Sequence, residues 1–253
     1  LLTGRYHFRT GQGGTGVIFD YTDPIIGDEP TIQSKLVDQG YSTYCSGKWH
    51  LGIDWKEKSD LEETGGNGMF RNESIDFSSD FDGPTDKGFD RFYGIRGSLD
   101  MPPYCFLEDG HIVGHPIEAK ENYYNQQRKG PESRTWDDFQ VGKRITSKAL
   151  SYISQGANSE SSFFLYVPTS APHRPCLPPD YIDTNSDGSK REDMVTHFDW
   201  TIGCIDEQLT QFGITDNTIL IVTSDHGPNP SEKDVPHDPT NGLRGDKGSL
   251  YQG

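Results

Sequence analysis

The chain has 253 residues and a net charge of -16 from 23 Lys and Arg against 39 Asp and Glu. That charge argues against nucleic acid or an anionic membrane surface as the main partner, because both repel an acidic protein. Only 31% of residues are hydrophobic, with 29 Gly and 16 Pro, and mean hydropathy is -0.75, so much of the chain is expected in turns and loops around one α/β core. No run is long and apolar enough for a transmembrane helix.

In chain order, residues 31–39 read as a short helix. Ile32 and Leu36 share one face, Pro30 sits near the start and Gly40 stops it. Residues 41–45 read as a strand. It leads into Gly47-Lys48-Trp49-His50-Leu51-Gly52, where a cation and an imidazole lie two residues apart. Alternate residues of an extended segment face the same way, so Lys48 and His50 are expected to share a pocket able to hold an oxyanion. Residues 54–90 are acidic and glycine-rich and read as a surface excursion. Residues 138–154 read as a helix with Val141, Ile145, Leu150 and Ile153 at its apolar positions.

Residues 163–167 form a continuous apolar run, as in a strand buried on both faces. A proline-rich loop follows and carries His173 within Ala171-Pro172-His173-Arg174-Pro175. Residues 193–212 read as a long amphipathic helix with Met194, Val195, Phe198, Ile202, Ile205 and Leu209 on its apolar side and Gly213 as its C-cap. Residues 218–222 read as a second apolar strand. Strand, helix and strand in this order imply a right-handed crossover onto a parallel sheet, with ligands beyond the carboxyl ends of its strands. Lys48, His50, His173, Asp225 and His226 all fall just past expected strand ends.

Each motif has an ordinary reading beside a chemical one. Asp225-His226-Gly227 suits a hard divalent cation, or simply a polar turn after a strand. His173 suits a pocket or a solvated loop. Lys247, between glycines in Leu243-Arg244-Gly245-Asp246-Lys247-Gly248, suits anion contact or a surface turn. Residues 11–16 fit Gly-x-Gly-x-x-Gly but lack the preceding strand and following helix of a dinucleotide site. Residues 183–188 fit the first half of a calcium loop, but its twelfth position is Met194 rather than Glu. Asn72-Glu73-Ser74 is a glycosylation sequon. Cys45, Cys105, Cys176 and Cys204 match no zinc or CxxC spacing and read as buried free thiols, with one disulfide through Cys105 as the alternative.

The order of the segments points to a family. Leu1-Leu2-Thr3-Gly4-Arg5-Tyr6 resembles the tail of the first sulfatase signature, and residues 40–52 resemble the second. Residues 88–94, 163–175, 199–203 with 216–218 and 223–227, and 243–248 resemble further sulfatase segments in the same order. The likeness covers nearly the whole chain.

The resemblance implies an alkaline-phosphatase-like α/β fold, with a mainly parallel central sheet flanked by helices. Residues 1–253 would form a partial sulfatase catalytic domain. It also implies hydrolysis of a sulfate ester, on an aryl or a carbohydrate substrate. The nucleophile would be a formylglycine made by a maturation enzyme, and the cation calcium, or magnesium. Lys48 would neutralise sulfate oxygens, and His50 would stabilise or deprotonate the nucleophile. His173 and Lys247 would contact the sulfate and the departing oxygen, with His173 as general acid. Asp225 and His226 would be metal ligands, where Asp-Asn is the commoner pair. The Cys or Ser-x-Pro-x-Arg nucleophile motif is expected upstream of Leu1, as are two metal-binding aspartates. The 253 residues alone are therefore expected to be inactive and to bind metal poorly. Family relatives suggest a secreted, periplasmic or lysosomal setting. Residues 100–115 are expected to shape a leaving-group pocket. A phosphate or phosphonate ester hydrolase of the same superfamily is the competing enzymatic reading. A non-catalytic binder of sulfated glycans is the competing reading of another class.

Overall fold

The computed structural model describes residues 1–6, 9, 25–58, 75–114, 117–124, 126–182, 190–229, 238–249 and 251. The glycine-rich run 11–16, the sequon at Asn72 and the acidic run 183–188 lie outside them.

The sheet grows around β1 (Ser42–Lys48). This strand pairs in parallel with β2 (Arg91–Ile95) on one side and β7 (Phe163–Tyr166) on the other. Beyond β2 come β3 (Phe106–Glu108) and β4 (His111–Val113), an antiparallel hairpin that completes the order β4-β3-β2-β1-β7. A separate ribbon joins β5 (Ile117–Ala119) to β6 (Pro131–Ser133). The architecture is the α/β arrangement expected, three parallel strands extended by a hairpin. Residues 106–113, expected within a pocket loop, belong to the sheet instead.

Two glycines let the central strands meet closely. A Cβ on Gly94 would lie 1.7 Å from the Gly47 carbonyl oxygen, and one on Gly47 would lie 2.1 Å from that of Pro168. No larger residue fits either position without moving the backbone opposite it.

Helix α1 (Ile32–Val37) starts at a capping box in which Thr31 and Ser34 satisfy each other's backbone N–H groups. Its buried residue is Gln33, whose amide donates to the Lys87 carbonyl at 2.8 Å, while Ile32 is exposed. The expected Ile32–Leu36 face is therefore replaced by a polar tether.

Helix α2 (Val141–Ala157) buries Val141, Ile145 and Ile153 as its periodicity predicts, while Leu150 is only half-buried and Ala149 is buried beside it. Tyr152 stacks on Tyr44 of β1 at 5.0 Å, a contact worth about 1 kcal/mol. Ser46 donates to the Ile145 carbonyl at 2.8 Å.

Helix α3 (Lys190–Gln211) lies on α2 and ends before Gly213, whose φ is +67°. It buries Met194, Ile205 and Leu209 as expected, but also His197 and Thr201, while Val195 is exposed. Thr201 sits 3.0 Å from Thr146 of α2, and the His197 ring fills the space left by Gly142.

Two strand expectations fail. β7 is half-buried along its whole length rather than buried on both faces. Residues 218–222 form no strand, with Ile219 and Ile221 at 88% and 78% exposure. Among the described residues β7 therefore pairs only with β1, and residues 218–222 add no ladder to it.

Candidate active site

β1 ends at Lys48, whose N–H donates to the Pro168 carbonyl at 2.7 Å. The chain then turns. Trp49 N–H donates to Ile95 O at 2.9 Å, and His50 N–H to Arg96 O at 2.7 Å. His50 adopts φ +54°, so strict strand alternation does not carry it to the face of Lys48. Trp49 anchors the turn. Its indole N–H donates to Gly52 O at 2.8 Å, and its ring lies edge-on to Phe89 and Phe92.

Beyond β7, the loop bearing His173 runs between two cis X-Pro bonds, Ala171-Pro172 and Arg174-Pro175. His173 N–H donates to Ser170 O at 3.0 Å. Its ring Nδ1 lies 2.6 Å from Arg174 O. A carbonyl only accepts, so Nδ1 carries the hydrogen and Nε2 is left to exchange a proton.

The loop bearing Lys247 is tied to the metal-ligand candidates, because Lys247 N–H donates to Pro228 O at 2.8 Å. His226 Nδ1 donates in the same way to Gly227 O at 2.8 Å, and its Nε2 lies 3.4 Å from Asp225 Oδ2.

Electrostatics show which of these groups converge. The Lys48 ammonium is held below its ordinary pKa, chiefly by burial. Asp225 opposes that shift, Lys247 adds to it, and Asp100 opposes it. His173 is pushed down to about 4, first by burial and then by the Lys48 charge. The Arg174 carbonyl and Asp100 work against that, and Lys247 works with it. Lys48, His173, Lys247 and Asp225 thus share one electrostatic neighbourhood at the carboxyl ends of β1 and β7. His50 is next to it in sequence, on the neighbouring turn.

The loop after β2 also enters this neighbourhood. Arg96, Ser98 and Asp100 are all buried there. Only Asp100 was expected near the site, as the first residue of a pocket loop. The signal for the others was their position past the carboxyl end of β2, a strand not expected from the sequence.

Asp225 and His226 bring a carboxylate oxygen and one imidazole nitrogen, hard and borderline donors that suit a divalent cation. The Asp225 side chain is 79% exposed, so it is accessible as a ligand. Among the described residues no group of three His, Cys, Asp or Glu assembles, so this pair supplies two donors and no more.

The four cysteines are free thiols, two of them fully buried. Burial pushes Cys105 up to about 12 and raises Cys45 further, which makes both unreactive. No helix among the described residues is long and apolar enough to cross a membrane.

This fold, with charged loops gathered at the carboxyl ends of its parallel strands, is of the alkaline-phosphatase-like α/β class. A family model described as Sulfatase matches residues 1–251. The chain belongs to the sulfatase family. It is 31% identical to an N-acetylgalactosamine-6-O-sulfatase of Bacteroides thetaiotaomicron, over 100% of this chain and 54% of that protein. It is 25% identical to human arylsulfatase A, over 100% of this chain and 46% of that protein. A solved structure from the metabolism of multiple glycosaminoglycans by Bacteroides thetaiotaomicron superposes with a TM-score of 0.77 and 28% identity, covering 99% of this chain and 57% of that one. The chain spans about half the length of the curated relatives it matches.

Proposed function

We propose that the protein containing this chain hydrolyses sulfate esters of carbohydrates, and that residues 1–253 are part of its catalytic domain. One observation carries the reading. Lys48, His173 and Lys247, two of them buried or half-buried, converge with Asp225 at the strand ends of a chain that a sulfatase model matches over residues 1–251. Lys48 is strained by burial and by the Lys247 charge, and His173 by burial and by the Lys48 charge, a cost that a bound anion would offset.

In this reading Lys48 and Lys247 offset the charge on the sulfate oxygens. Preorganised charge supplies the largest share of barrier lowering in many enzymes. Accelerating so slow a hydrolysis demands on the order of 20 kcal/mol. His173, once protonated at Nε2, gives that proton to the departing ester oxygen as the sulfur–oxygen bond breaks. General acid catalysis of this type contributes roughly 10²–10⁴-fold. His50, fixed by its bond to Arg96, orients or deprotonates the nucleophile. That nucleophile is expected to be a formylglycine outside these residues. Asp225 and His226 would hold a divalent cation, calcium or magnesium, which supplies Lewis-acid polarisation of a sulfate oxygen when bound.

The relative that acts on N-acetylgalactosamine 6-sulfate by its name makes that sugar the first substrate to test. The experiment compares the full-length protein on sulfated N-acetylgalactosamine, 4-nitrophenyl sulfate and 4-nitrophenyl phosphate, with and without a chelator. Turnover of the sulfate esters, lost with chelator and with Lys48→Ala, is expected. A faster rate on the phosphate would reassign the reaction to phosphoryl transfer. Binding of the sulfated sugar with no turnover at all would make the protein a glycan binder.

A further inference from the structure

The turn after β1 sets His50 on an unfavourable backbone. Its φ of +54° lies in the left-handed region, which the Cβ of any L residue disfavours. Such a conformation persists where the surroundings over-determine it, and strained residues of this kind gather at functional sites. Four hydrogen bonds hold the turn. The His50 N–H donates to Arg96 O at 2.7 Å, and the Trp49 N–H donates to Ile95 O at 2.9 Å, which ties both residues to the end of β2. The Leu51 carbonyl accepts from the Ile25 N–H at 3.0 Å. The Trp49 indole N–H donates to Gly52 O at 2.8 Å.

The last of these bonds differs in kind. It is made by a side chain, and it joins residue 49 to residue 52, so His50 and Leu51 lie inside the ring that it closes. Gly52 is left-handed as well, at φ +82°, and the chain folds back on itself around His50. The indole is fixed in its turn by the core. Trp49 is 4% exposed, and its ring lies edge-on to Phe89 at 6.3 Å and to Phe92 of β2 at 6.5 Å. The two backbone N–H groups fix where the turn starts, and the indole reaches across His50 to its far side. The backbone dihedrals of a residue set the direction of its Cα–Cβ bond, so the imidazole follows the turn. Removing the indole N–H leaves the Gly52 carbonyl without this donor and loosens the turn at the far side of His50.

We infer that Trp49 is a positioning residue, whose indole N–H, bonded to the Gly52 carbonyl, holds His50 in its left-handed turn and so sets the direction in which the imidazole is presented. The inference rests on the sulfate-ester reading, in which His50 orients or deprotonates the nucleophile. Trp49 is buried in the core and acts through His50, so its contribution to the rate disappears when the imidazole is absent. Misplacing a reacting group by about 1 Å costs up to roughly 10²-fold in rate.

The test is a double-mutant cycle in the full-length protein, with 4-nitrophenyl sulfate as substrate. Trp49→Phe removes the donor and keeps an aromatic ring against Phe89 and Phe92. Benzothienylalanine in place of Trp49 keeps the bicyclic shape without the N–H, and serves where Trp49→Phe fails to fold. Urea midpoints are read first, so that rates are compared between folded proteins. In the wild-type background kcat is expected to fall on the order of 10-fold, with KM changed by less than about twofold. In the His50→Ala background the same change should cost nothing further, the non-additivity expected of two coupled residues. An equal loss in both backgrounds, or no loss in the wild-type background, overturns the inference. If the wild type cleaves no sulfate ester, the parent reading fails. If His50→Ala alone leaves no measurable rate, the parent reading stands. In either case NMR of the protein carrying isotope-labelled histidine decides the positioning role, because a Cα shift reports the backbone dihedrals. A His50 signal displaced in the variant that lacks the donor, with the other histidines unmoved, upholds the inference, and an unmoved His50 signal refutes it.

Discussion

The N–H of Lys48 donates to the carbonyl oxygen of Pro168 at 2.7 Å. This one bond fastens the end of β1 to the loop that leads to His173, so the cation and the imidazole are positioned by the same stretch of backbone. It forms because Gly47 has no side chain. A Cβ there would collide with the Pro168 carbonyl, and the residue's φ of +150° is one that side chains rarely adopt.

Gly94→Ala and Gly47→Ala should therefore destabilise the chain by about 1–3 kcal/mol or more, as overpacking does. The cleaner measurement is the urea midpoint of each variant with the slope checked for constancy. A midpoint within error of wild type for Gly94→Ala would show that β1 and β2 separate at little cost.

Lys120 is the second structural sensitivity. Its side chain is 3% exposed and its ammonium lies 2.8 Å from both Glu132 and Asp138. Asp138 also accepts from Gln127 at 2.7 Å and from the Trp136 indole at 3.0 Å. Lys120→Met leaves two carboxylates without their cation, so a loss of about 3–5 kcal/mol is expected. Calorimetry would read it. The double variant Lys120→Met with Asp138→Leu should recover part of the loss, which a simple volume effect would not allow.

Stability should also fall with acid through His173. Its pKa drops from 6.5 to about 4 on folding. Above about pH 6.5 the imidazole is neutral in both states, and its folded environment is fully tolerated. As pH falls from there towards 4, the unfolded chain takes up a proton that the folded chain refuses, so stability declines. His197, lowered by burial, acts in the same direction. Denaturation of wild type and His173→Gln at several pH values should show a shallower acid slope in the variant. Parallel slopes would remove His173 from the account.

The same shift predicts proton uptake with anion binding. A sulfate beside His173 opposes the Lys48 charge and raises the imidazole pKa. Titration calorimetry of sulfate into the full-length protein at pH 6, in buffers of different ionisation enthalpy, should report net proton uptake. His173→Gln should abolish it. Uptake that survives the substitution would assign the proton to another group.

Ile219 and Ile221 lie exposed, and among the described residues β7 ends the sheet. Exposed apolar residues and unpaired sheet edges each favour association between chains. Prepared as these 253 residues, the protein should self-associate, and Ile219→Lys with Ile221→Lys should reduce it without lowering the unfolding midpoint. Light scattering against concentration decides this. Scattering equal to that of the wild type would place the sticky surface elsewhere.

Much was legible in the sequence where local pattern and environment agree. α2 follows its apolar period because one face lies on the sheet, and β1 was found because Tyr41-Ser42-Thr43-Tyr44-Cys45 favours extension between two glycines. The ordered motifs around Lys48, His173, Asp225 and Lys247 identified the family, since each sits on a short stretch of sequence. Strand β2 was missed because its Arg91-Phe92-Tyr93-Gly94 pattern mixes charge, aromatics and glycine, and only pairing with β1 makes it a strand. Residues 218–222 show the converse. Their β-branched run favours extension, but a ladder needs a neighbour within hydrogen-bonding distance, which no local propensity supplies.

The sequence by itself determined the family and the α/β class, and it picked out the candidate site residues, because these depend on side-chain chemistry in a fixed order. The tertiary structure alone decided that Arg96 and Ser98, past the carboxyl end of β2, are buried with Asp100. It also decided that His50 turns off the strand at φ +54° and that His173 is held at a pKa of about 4. These are matters of distance and burial between segments that are far apart in the chain, and no local pattern encodes a dielectric or a neighbour's charge.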